Sequence, residues 1–175
     1  MEPPRIAWAI TGAGHGLEEC VDALLGCGRA DLFLTPAAEE VLEAYGLSAR
    51  IRAAGLGACR GRAASAPEAC RFSSGRYRVL VVAPATANSV AKFVCGIADN
   101  LVTNLYAQAG KSRVPVIVYP TDLAPEMDSF GPGRRRVRVY PRAVDLDNAR
   151  KLEGCAGTRV VRSREELERC LAACL

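Results

Sequence analysis

Uncharged hydrogen-bonding side chains follow directly after an apolar run near the middle of the chain. The run Val79–Val82 predicts a buried strand; Thr86, Asn88 and Ser89 come just after it, and Lys92 lies one helical turn further on. In a parallel sheet the ligand crevice lies where the strands end. Hydroxyl and amide groups can bond the edges of a flat ring, and the lysine adds one positive charge. Together these residue types indicate a flavin site.

A glycine-rich turn follows the first predicted strand. Its Gly12 and Gly14 match the start of a dinucleotide-binding fingerprint, but Leu17 stands where the third glycine is needed. The second strand ends at Thr35, where an NAD-binding protein would carry an acidic residue for the ribose. NAD binding is therefore disfavoured. Two interpretations of the turn remain: an anion cradle at a helix N-terminus, or a tight turn without a ligand.

Three predicted strand ends carry small or hydroxyl-bearing residues. They are Thr11–Ala13, Thr35–Ala37 and Ala83–Ser89. We expect them to lie side by side along the carboxyl edge of one sheet, because parallel strands end at the same edge. A crevice of this kind would hold one monophosphate with a flat ring.

Strands alternate with helices along the chain. This order predicts an α/β fold, namely a single flavodoxin-like Rossmann domain over residues 1–175, with a parallel sheet and helices on both faces. The predicted strands are Arg5–Ile10, Asp31–Leu34, Arg78–Val82, Pro115–Tyr119, Arg136–Tyr140 and Thr158–Val161. The predicted helices are Leu17–Leu25, Ala37–Tyr45 after an N-cap at Thr35, Asn88–Ile97, Asn100–Ala109, Asp145–Leu152, and Arg164–Leu175 after a capping box of Ser163 and Glu166. Residues 48–74 show no sustained period, and there we expect a short strand near Ile51 and a short helix around Pro67–Phe72.

Composition narrows the function classes. No apolar run approaches the roughly 18 residues of a membrane span, and the N-terminus lacks a signal-peptide pattern, so we expect a cytoplasmic protein without a membrane partner. The 8 cysteines include no Cys-x-x-Cys pair and accompany 1 histidine, so no metal site is expected. Arg134–Arg138 holds much of the positive excess of the +4 net charge. A solvated loop is the favoured interpretation over a nucleic-acid patch, with a rim for acidic partners as a third.

The segment APATANSVAK at positions 83–92, followed by GIADNLVTN at 96–104, resembles the flavin-binding core of a flavoprotein family. That family includes phosphopantothenoylcysteine decarboxylase and the lantibiotic peptidyl-cysteine decarboxylases. Three further segments are most similar to its branch of dihydromethanopterin reductase (acceptor) and archaeal flavoproteins. They are RIAWAITGAGHGLEE at 5–19, LTPAAEEVLEAYGL at 34–47 and VPVIVYPTD at 114–122.

The resemblance implies FMN bound between the subunits of a homo-oligomer, either a trimer or a larger closed shell. Carried over position by position, the expected FMN contacts are Thr11, Gly12, Ala13 and His15 in the first loop, Thr35 at the phosphate, Ala85, Thr86, Asn88 and Lys92 in the central motif, and Asp99 near the ring or the subunit interface. His15 and Lys92 are the expected catalytic residues, His15 as a proton donor or phosphate ligand and Lys92 beside the flavin ring.

The implied activity is FMN-dependent reduction of dihydromethanopterin, or a related pterin, to the tetrahydro form by ping-pong hydride transfer. The electron donor would be an NAD(P)H-linked reductase or a ferredoxin. One alternative is a ferredoxin-linked electron-transfer flavoprotein that docks through Arg134–Arg138, and another is a non-catalytic FMN-binding shell subunit. A cysteine-derivative decarboxylase is disfavoured, because residues 31–45 lack the histidine of that branch and Pro125–Asp128 only partly matches its Pro-x-Met-Asn clasp.

Overall fold

A computed structural model describes residues 5–61 and 67–174. Its main sheet has six parallel strands in the order β3-β2-β1-β4-β5-β8. These strands are β1 (Arg5–Ile10), β2 (Ala30–Leu34), β3 (Ala58–Arg60), β4 (Tyr77–Ala85), β5 (Val116–Pro120) and β8 (Thr158–Val160). This confirms the predicted α/β class, and the strand order reverses direction next to β1, where α/β proteins place their ligands.

Helices cover both faces of the sheet. One face packs against α1 (Leu17–Gly26), α2 (Pro36–Ala44), α3 (Ser48–Ala53) and α7 (Arg164–Cys174). The other packs against α4 (Ala87–Val94), α5 (Leu101–Lys111) and α6 (Ala143–Glu153), together with a 3-10 turn at Pro67–Phe72. Strands β1 and β4 lie at the centre of the sheet and carry apolar residues on both faces. Their side chains therefore pack into two hydrophobic cores, one on each face.

The central strands are tied together by polar contacts as well as by the ladder. Trp8 is fully buried, and its indole N–H donates to the carbonyl of Ala83 at 3.1 Å. This bond satisfies the polar end of a large apolar side chain. It also fixes the end of β1 against the end of β4, which are the two strand ends that sequence analysis places at the ligand crevice.

Local capping starts the helices where the sequence predicts. The Thr35 hydroxyl accepts the N–H of Ala38 at 3.1 Å, with Pro36 in the first turn of α2. Ser163 accepts the N–H of Glu166 at 3.2 Å at the start of α7. The Glu166 carboxylate, however, accepts the N–H of Arg162 at 2.7 Å, one residue earlier than in a standard capping box. The predicted end of this helix at Leu175 lies outside the described residues.

Two predictions about strands need correction. The strand expected near Ile51 is wrong, because Ile51 is buried in α3 and the strand comes later, at β3. The predicted strand at residues 136–140 exists as β7 (Arg136–Val139), but it pairs antiparallel with β6 (Met127–Phe130) in a separate hairpin rather than joining the main sheet. A four-residue strand such as β6 gives too short a pattern to be seen from periodicity.

Two absences hold for the described ranges. Within 5–61 and 67–174, no helix is both long and apolar enough to cross a bilayer. Over the same residues, histidine, cysteine, aspartate and glutamate side chains form no group of three or more that could hold a metal ion.

Candidate functional site

A cavity of about 430 Å³ lies at the carboxyl edge of the main sheet, beside the ends of β1, β4 and β5. The hairpin formed by β6 and β7 covers it from the outside. The lining residues come from the first loop, the central motif, the end of β5 and this hairpin. They are Ala13, Gly14, His15, Tyr45, Thr86, Ala87, Asn88, Thr121, Asp122, Met127, Ser129, Phe130, Gly131, Val137 and Val139.

Thr11 joins the two loops that form the floor of the cavity. Its buried hydroxyl donates to the carbonyl of Pro84 at 3.1 Å and accepts the N–H of Thr86 at 2.8 Å. Both bonds are made within the protein. Thr11 therefore holds the first loop against the central motif, and Thr86 is placed by this bond as the N-cap of α4, where its own hydroxyl accepts the N–H of Ser89 at 3.2 Å.

Glycine is required in the first loop because the chain passes close to α2. A Cβ atom on Gly12 would lie 2.6 Å from the Cβ of Ala37, and one on Gly14 would lie 2.1 Å from the hydroxyl oxygen of Tyr45. Neither distance is compatible with a side chain in place. The glycines thus allow the loop backbone to lie against α2, with Gly14 also lining the cavity.

Three helices begin at this edge of the sheet: α1, α2 and α4. The first N–H groups of a helix have no partner within it, and the helix dipole adds a partial positive charge there. Helix N-termini are therefore suited to hold a phosphate group without arginine or lysine. Thr35 stands at the start of α2 as its N-cap, outside the residues that line the cavity.

The hairpin is attached to the rest of the molecule by polar contacts to Tyr45 and Glu18. The hydroxyl of Tyr45 donates to the carbonyl of Phe130 at 2.7 Å. Burial, and secondarily Glu18, raises the pKa of Tyr45, so the hydroxyl keeps its proton and remains a donor. Arg134 also contacts Glu18, at 3.3 Å. These contacts keep the apolar residues Met127 and Val137 over the cavity.

The predicted site residues fall into three groups. Ala13, His15, Thr86 and Asn88 line the cavity. Four residues lie outside the lining and support the loops: Thr11, Gly12, Thr35 and Ala85. Ala85 is fully buried at the end of β4. Lys92 and Asp99 form the third group and lie outside the lining.

Lys92 and Asp99 pair with each other. The Lys92 ammonium lies 2.6 Å from Asp99 Oδ2, and its hydrogen bond is the main reason that the pKa of Asp99 is lowered. Asp99 Oδ1 also accepts the side-chain amide of Asn100 at 3.1 Å, next to the cap of α5. Both residues are partly exposed, so the pair lies at a surface at the far end of α4 from the cavity. Their predicted roles toward FMN remain predictions.

Sequence analysis missed several lining residues. Tyr45, Thr121, Asp122 and Ser129 were not predicted to belong to the site. Thr121 and Asp122 could have been found, because they follow β5 just as Thr86 follows β4. Ser129 could not, since it depends on how the hairpin folds back over the sheet.

The lining fits FMN in its chemistry. The amide of Asn88 and the hydroxyl of Thr86 can bond the uncharged polar edge of an isoalloxazine ring, and Met127, Val137 and Val139 offer apolar walls for its other edge. The helix N-termini supply a place for the phosphate. Gly12 and Gly14 let the loop backbone lie close to α2, and Gly14 itself lines the cavity, so loop backbone is exposed to a ligand there.

The chain is similar to known flavoproteins over most of its length. The chain is 41% identical to Burkholderia xenovorans DmrB, solved in complex with FMN and described as a cubic protein cage for redox transfer, with a TM-score of 0.89 over 99% of this chain and 96% of that one. It is 42% identical over 136 residues to dihydromethanopterin reductase (acceptor) of Methanosarcina mazei, covering 70% of this chain and 57% of the relative. The corresponding protein of Methanocaldococcus jannaschii is 40% identical over 131 residues, covering 67% and 53%.

The chain thus spans slightly more than half the length of these two reductases. The model of the family described as Flavoprotein matches residues 1–174, which is nearly the whole chain. The chain belongs to the flavoprotein family.

Proposed function

We propose that the protein is an FMN-dependent oxidoreductase that reduces dihydromethanopterin, or a related dihydropterin, to the tetrahydro form. The observation that carries this proposal is the single cavity that joins Ala13, His15, Thr86 and Asn88 at the carboxyl edge of the sheet. The names of the two reductases and the FMN complex of DmrB support both the cofactor and the substrate class. When bound, FMN supplies two-electron chemistry, accepting electrons from a donor and returning them as a hydride.

The chain's own residues bind and orient in this proposal. The N-termini of α1 and α2 hold the phosphate, and Thr11 keeps the first loop and the central motif at a fixed separation. Asn88 and Thr86 bond the polar edge of the ring. Met127 and Val137 on the hairpin give the ring an apolar wall that shields it from water on that side.

His15 is proposed as the proton source. Reduction of a dihydropterin adds a hydride to carbon and a proton to the neighbouring nitrogen of the same C=N bond. His15 carries the only imidazole among the residues that line the cavity, and a ring N–H there can deliver this proton directly or through water. The catalytic role expected for Lys92 stays a prediction, because Lys92 pairs with Asp99 outside the residues that line the cavity.

The site is also proposed to be shared within a homo-oligomer, a trimer or a larger shell. The cage of DmrB supports this proposal. Three large apolar side chains, Ile97, Tyr140 and Val144, are 48%, 68% and 50% exposed. Contacts with a neighbouring subunit would bury them. Light scattering on the purified protein tests this: a single species at the 18.6 kDa mass of one chain would contradict it.

The electron-shuttle alternative depends on the arginines of the hairpin. Arg136 and Arg138 both contact Asp128, at 2.6 and 3.0 Å, and Arg138 also pairs with Glu126. Arg134 pairs with Glu18. Because the molecule balances most of this charge internally, no observation favours the cluster as a docking site for an acidic protein.

The decarboxylase alternative is also not favoured. Met127 lines the cavity as a clasp residue would, but Asp128 occupies the position of the clasp asparagine. Its carboxylate is held on the hairpin by Arg136 and Arg138, so it cannot replace an amide over a cysteine substrate.

A direct test follows the flavin absorbance of the purified, FMN-loaded protein without oxygen. Dithionite should bleach it, and addition of dihydromethanopterin in the absence of excess dithionite should restore it while tetrahydromethanopterin forms. Recovery with an oxidised protein partner but not with any dihydropterin would favour the shuttle instead. Failure of the protein to take up FMN would refute the proposal altogether.

A further inference from the structure

Asp122 is the only carboxylate among the residues that line the cavity. It follows the end of β5 and is half-buried, with Thr86, Asn88 and the hairpin around the same space. No other lining residue is acidic, and His15 is the only basic one among them. A carboxylate in such a cavity is a strong hydrogen-bond acceptor for a ligand.

The carboxylate is held in place from below. The Thr121 hydroxyl donates to Asp122 Oδ2 at 2.7 Å, and the Thr121 N–H donates to the carbonyl of Ala85 at 3.1 Å. Asp122 is thereby tied to the end of β4, on the floor of the cavity. The bond from Thr121 fixes the orientation of the Asp122 carboxylate before any ligand binds.

The charge of Asp122 is not used within the described part of the chain. Arg142 interacts electrostatically with Asp122, but its strongest contacts are two hydrogen bonds to Asp145, at 2.9 Å from Nε and 2.7 Å from one terminal nitrogen. Asp122 forms no ion pair among residues 5–61 and 67–174. Oδ2 keeps a second acceptor site beside its bond from Thr121, so Oδ1 and Oδ2 can each accept a hydrogen bond from a ligand.

A pterin and a flavin differ in the hydrogen-bonding groups that they would present to Asp122. A carboxylate binds best to two adjacent N–H donors, as it does to a guanidinium. A pterin presents this pair on its pyrimidine ring, as the 2-amino group next to N3–H. The matching edge of a flavin has one N–H between two carbonyl oxygens, and those oxygens would be repelled by a carboxylate.

We propose that Asp122 is the residue that recognises the dihydropterin, accepting hydrogen bonds from its 2-amino and N3–H groups. This inference rests on the proposed function and names the contact that selects a pterin over other oxidants. It assigns the two polar groups of the cavity to different ligands: the amide of Asn88 to the cofactor and the carboxylate of Asp122 to the substrate.

The experiment uses Asp122→Asn in the FMN-loaded protein, because the amide keeps the size and loses the charge. The FMN content and the bleaching by dithionite should stay at the wild-type level. The concentration of dihydropterin needed for half-maximal flavin reoxidation should rise roughly 10- to 100-fold, as expected for the loss of hydrogen bonds to a charged group. Asp147→Asn, which removes an exposed carboxylate paired with Arg150 on α6, is the matched control and should change neither.

A second probe distinguishes recognition from a structural effect. A dihydropterin analogue without the 2-amino group should react poorly with the wild-type protein, and its disadvantage should shrink in Asp122→Asn. Equal discrimination in both proteins, or loss of FMN from the variant, would overturn the inference.

Binding without turnover separates this inference from the proposed function. The intrinsic fluorescence of an oxidised pterin reports its binding to the FMN-loaded protein directly. If a pterin binds in an Asp122-dependent way but never reoxidises the flavin, the proposed reaction fails while the recognition stands. If no pterin binds, both are refuted.

Discussion

At the amino edge of the main sheet polar side chains pair with one another, whereas at the carboxyl edge they face a cavity. Asp31, at the start of β2, contacts Arg5 Nε at 2.7 Å, accepts the Tyr77 hydroxyl at 3.0 Å and contacts Arg76 at 3.1 Å. The Arg5 contact is ionic, since its N–H is not aligned for a hydrogen bond. Nearly all hydrogen-bonding capacity at this edge is consumed by the protein itself.

The carboxyl edge differs because its loops, and not its strands, carry the polar groups. Asn88, His15 and Asp122 line a cavity there, and the strand ends beneath them are tied together by Thr11. The same sheet thus separates polar residues that bond one another from polar residues that line the cavity. The difference teaches that the position of a polar residue along a parallel strand indicates its role better than its type does.

The largest expected effect is on the amino edge. Asp31→Asn should lower the free energy of unfolding by about 2 kcal/mol, because it leaves Arg5 and Arg76 without their counter-charge in a half-buried site. FMN affinity should not change. Denaturant unfolding and an FMN titration measure the two quantities. A loss of FMN affinity with unchanged stability would break the comparison between the two edges.

The pH dependence of stability sharpens the same prediction. Burial alone would raise the pKa of Asp31, but the hydrogen bonds from Tyr77 and Arg76 and the charge of Arg5 outweigh it, and the folded-state pKa lies below the ordinary value of 3.8. The contribution of Asp31 to stability is therefore present above that ordinary value and is lost as the pH falls through the folded-state pKa. Asp31→Asn should weaken the acid dependence of unfolding in that range.

A smaller effect is expected from Thr11→Val, which tests whether the carboxyl edge also has a structural part. The substitution keeps the shape of the side chain but leaves the N–H of Thr86 and the carbonyl of Pro84 without this partner. The free energy of unfolding should fall by about 1–2 kcal/mol, with a parallel loss of FMN affinity because the two loops lose their link. Unaltered stability and FMN affinity would show that the link is dispensable.

The sequence predicted most of the fold because the buried strands and the helix caps are local signals. Val79–Val82 has an apolar run, and Thr35 has a capping hydroxyl followed by proline; each is decided within a few residues. Ile51 was placed in a strand because one apolar residue in an irregular segment fits either structure. Tertiary packing against the sheet decides for a helix there.

The candidate site was only partly predictable for a related reason. Ala13, His15, Thr86 and Asn88 come from the motifs that the sequence displays. Ser129 and Phe130 reach the cavity through the fold of the hairpin, which depends on contacts with residues more than eighty positions away, such as that between Phe130 and Tyr45. The Lys92–Asp99 pair likewise emerges from the turn between two helices, which no local pattern specifies.

Asn88→Ala tests the ligand-binding half of the comparison. Loss of the amide should weaken FMN binding by about 1 kcal/mol, or roughly five-fold in the dissociation constant, while the free energy of unfolding without FMN stays nearly unchanged, since Asn88 is exposed. Flavin occupancy of the purified protein and an FMN titration measure this. Gln108→Ala on α5, away from the cavity, is the control. Unchanged occupancy would remove Asn88 from the cofactor site.

Tyr45→Phe should have the smallest effect, and it tests how the hairpin is held over the cavity. The variant keeps the ring between the first loop and the hairpin and removes only the hydroxyl that donates to Phe130. We expect FMN to dissociate no more than a few-fold faster, because one neutral hydrogen bond contributes roughly 0.5–1.5 kcal/mol and the Arg134–Glu18 contact remains. Combining it with Glu18→Gln weakens both contacts of the hairpin. The effect of the double variant on the FMN dissociation rate should then exceed the sum of the two single effects, since either contact alone keeps the hairpin closed. Strict additivity would show that the apolar face of the hairpin, formed by Met127 and Val137, is sufficient to hold it.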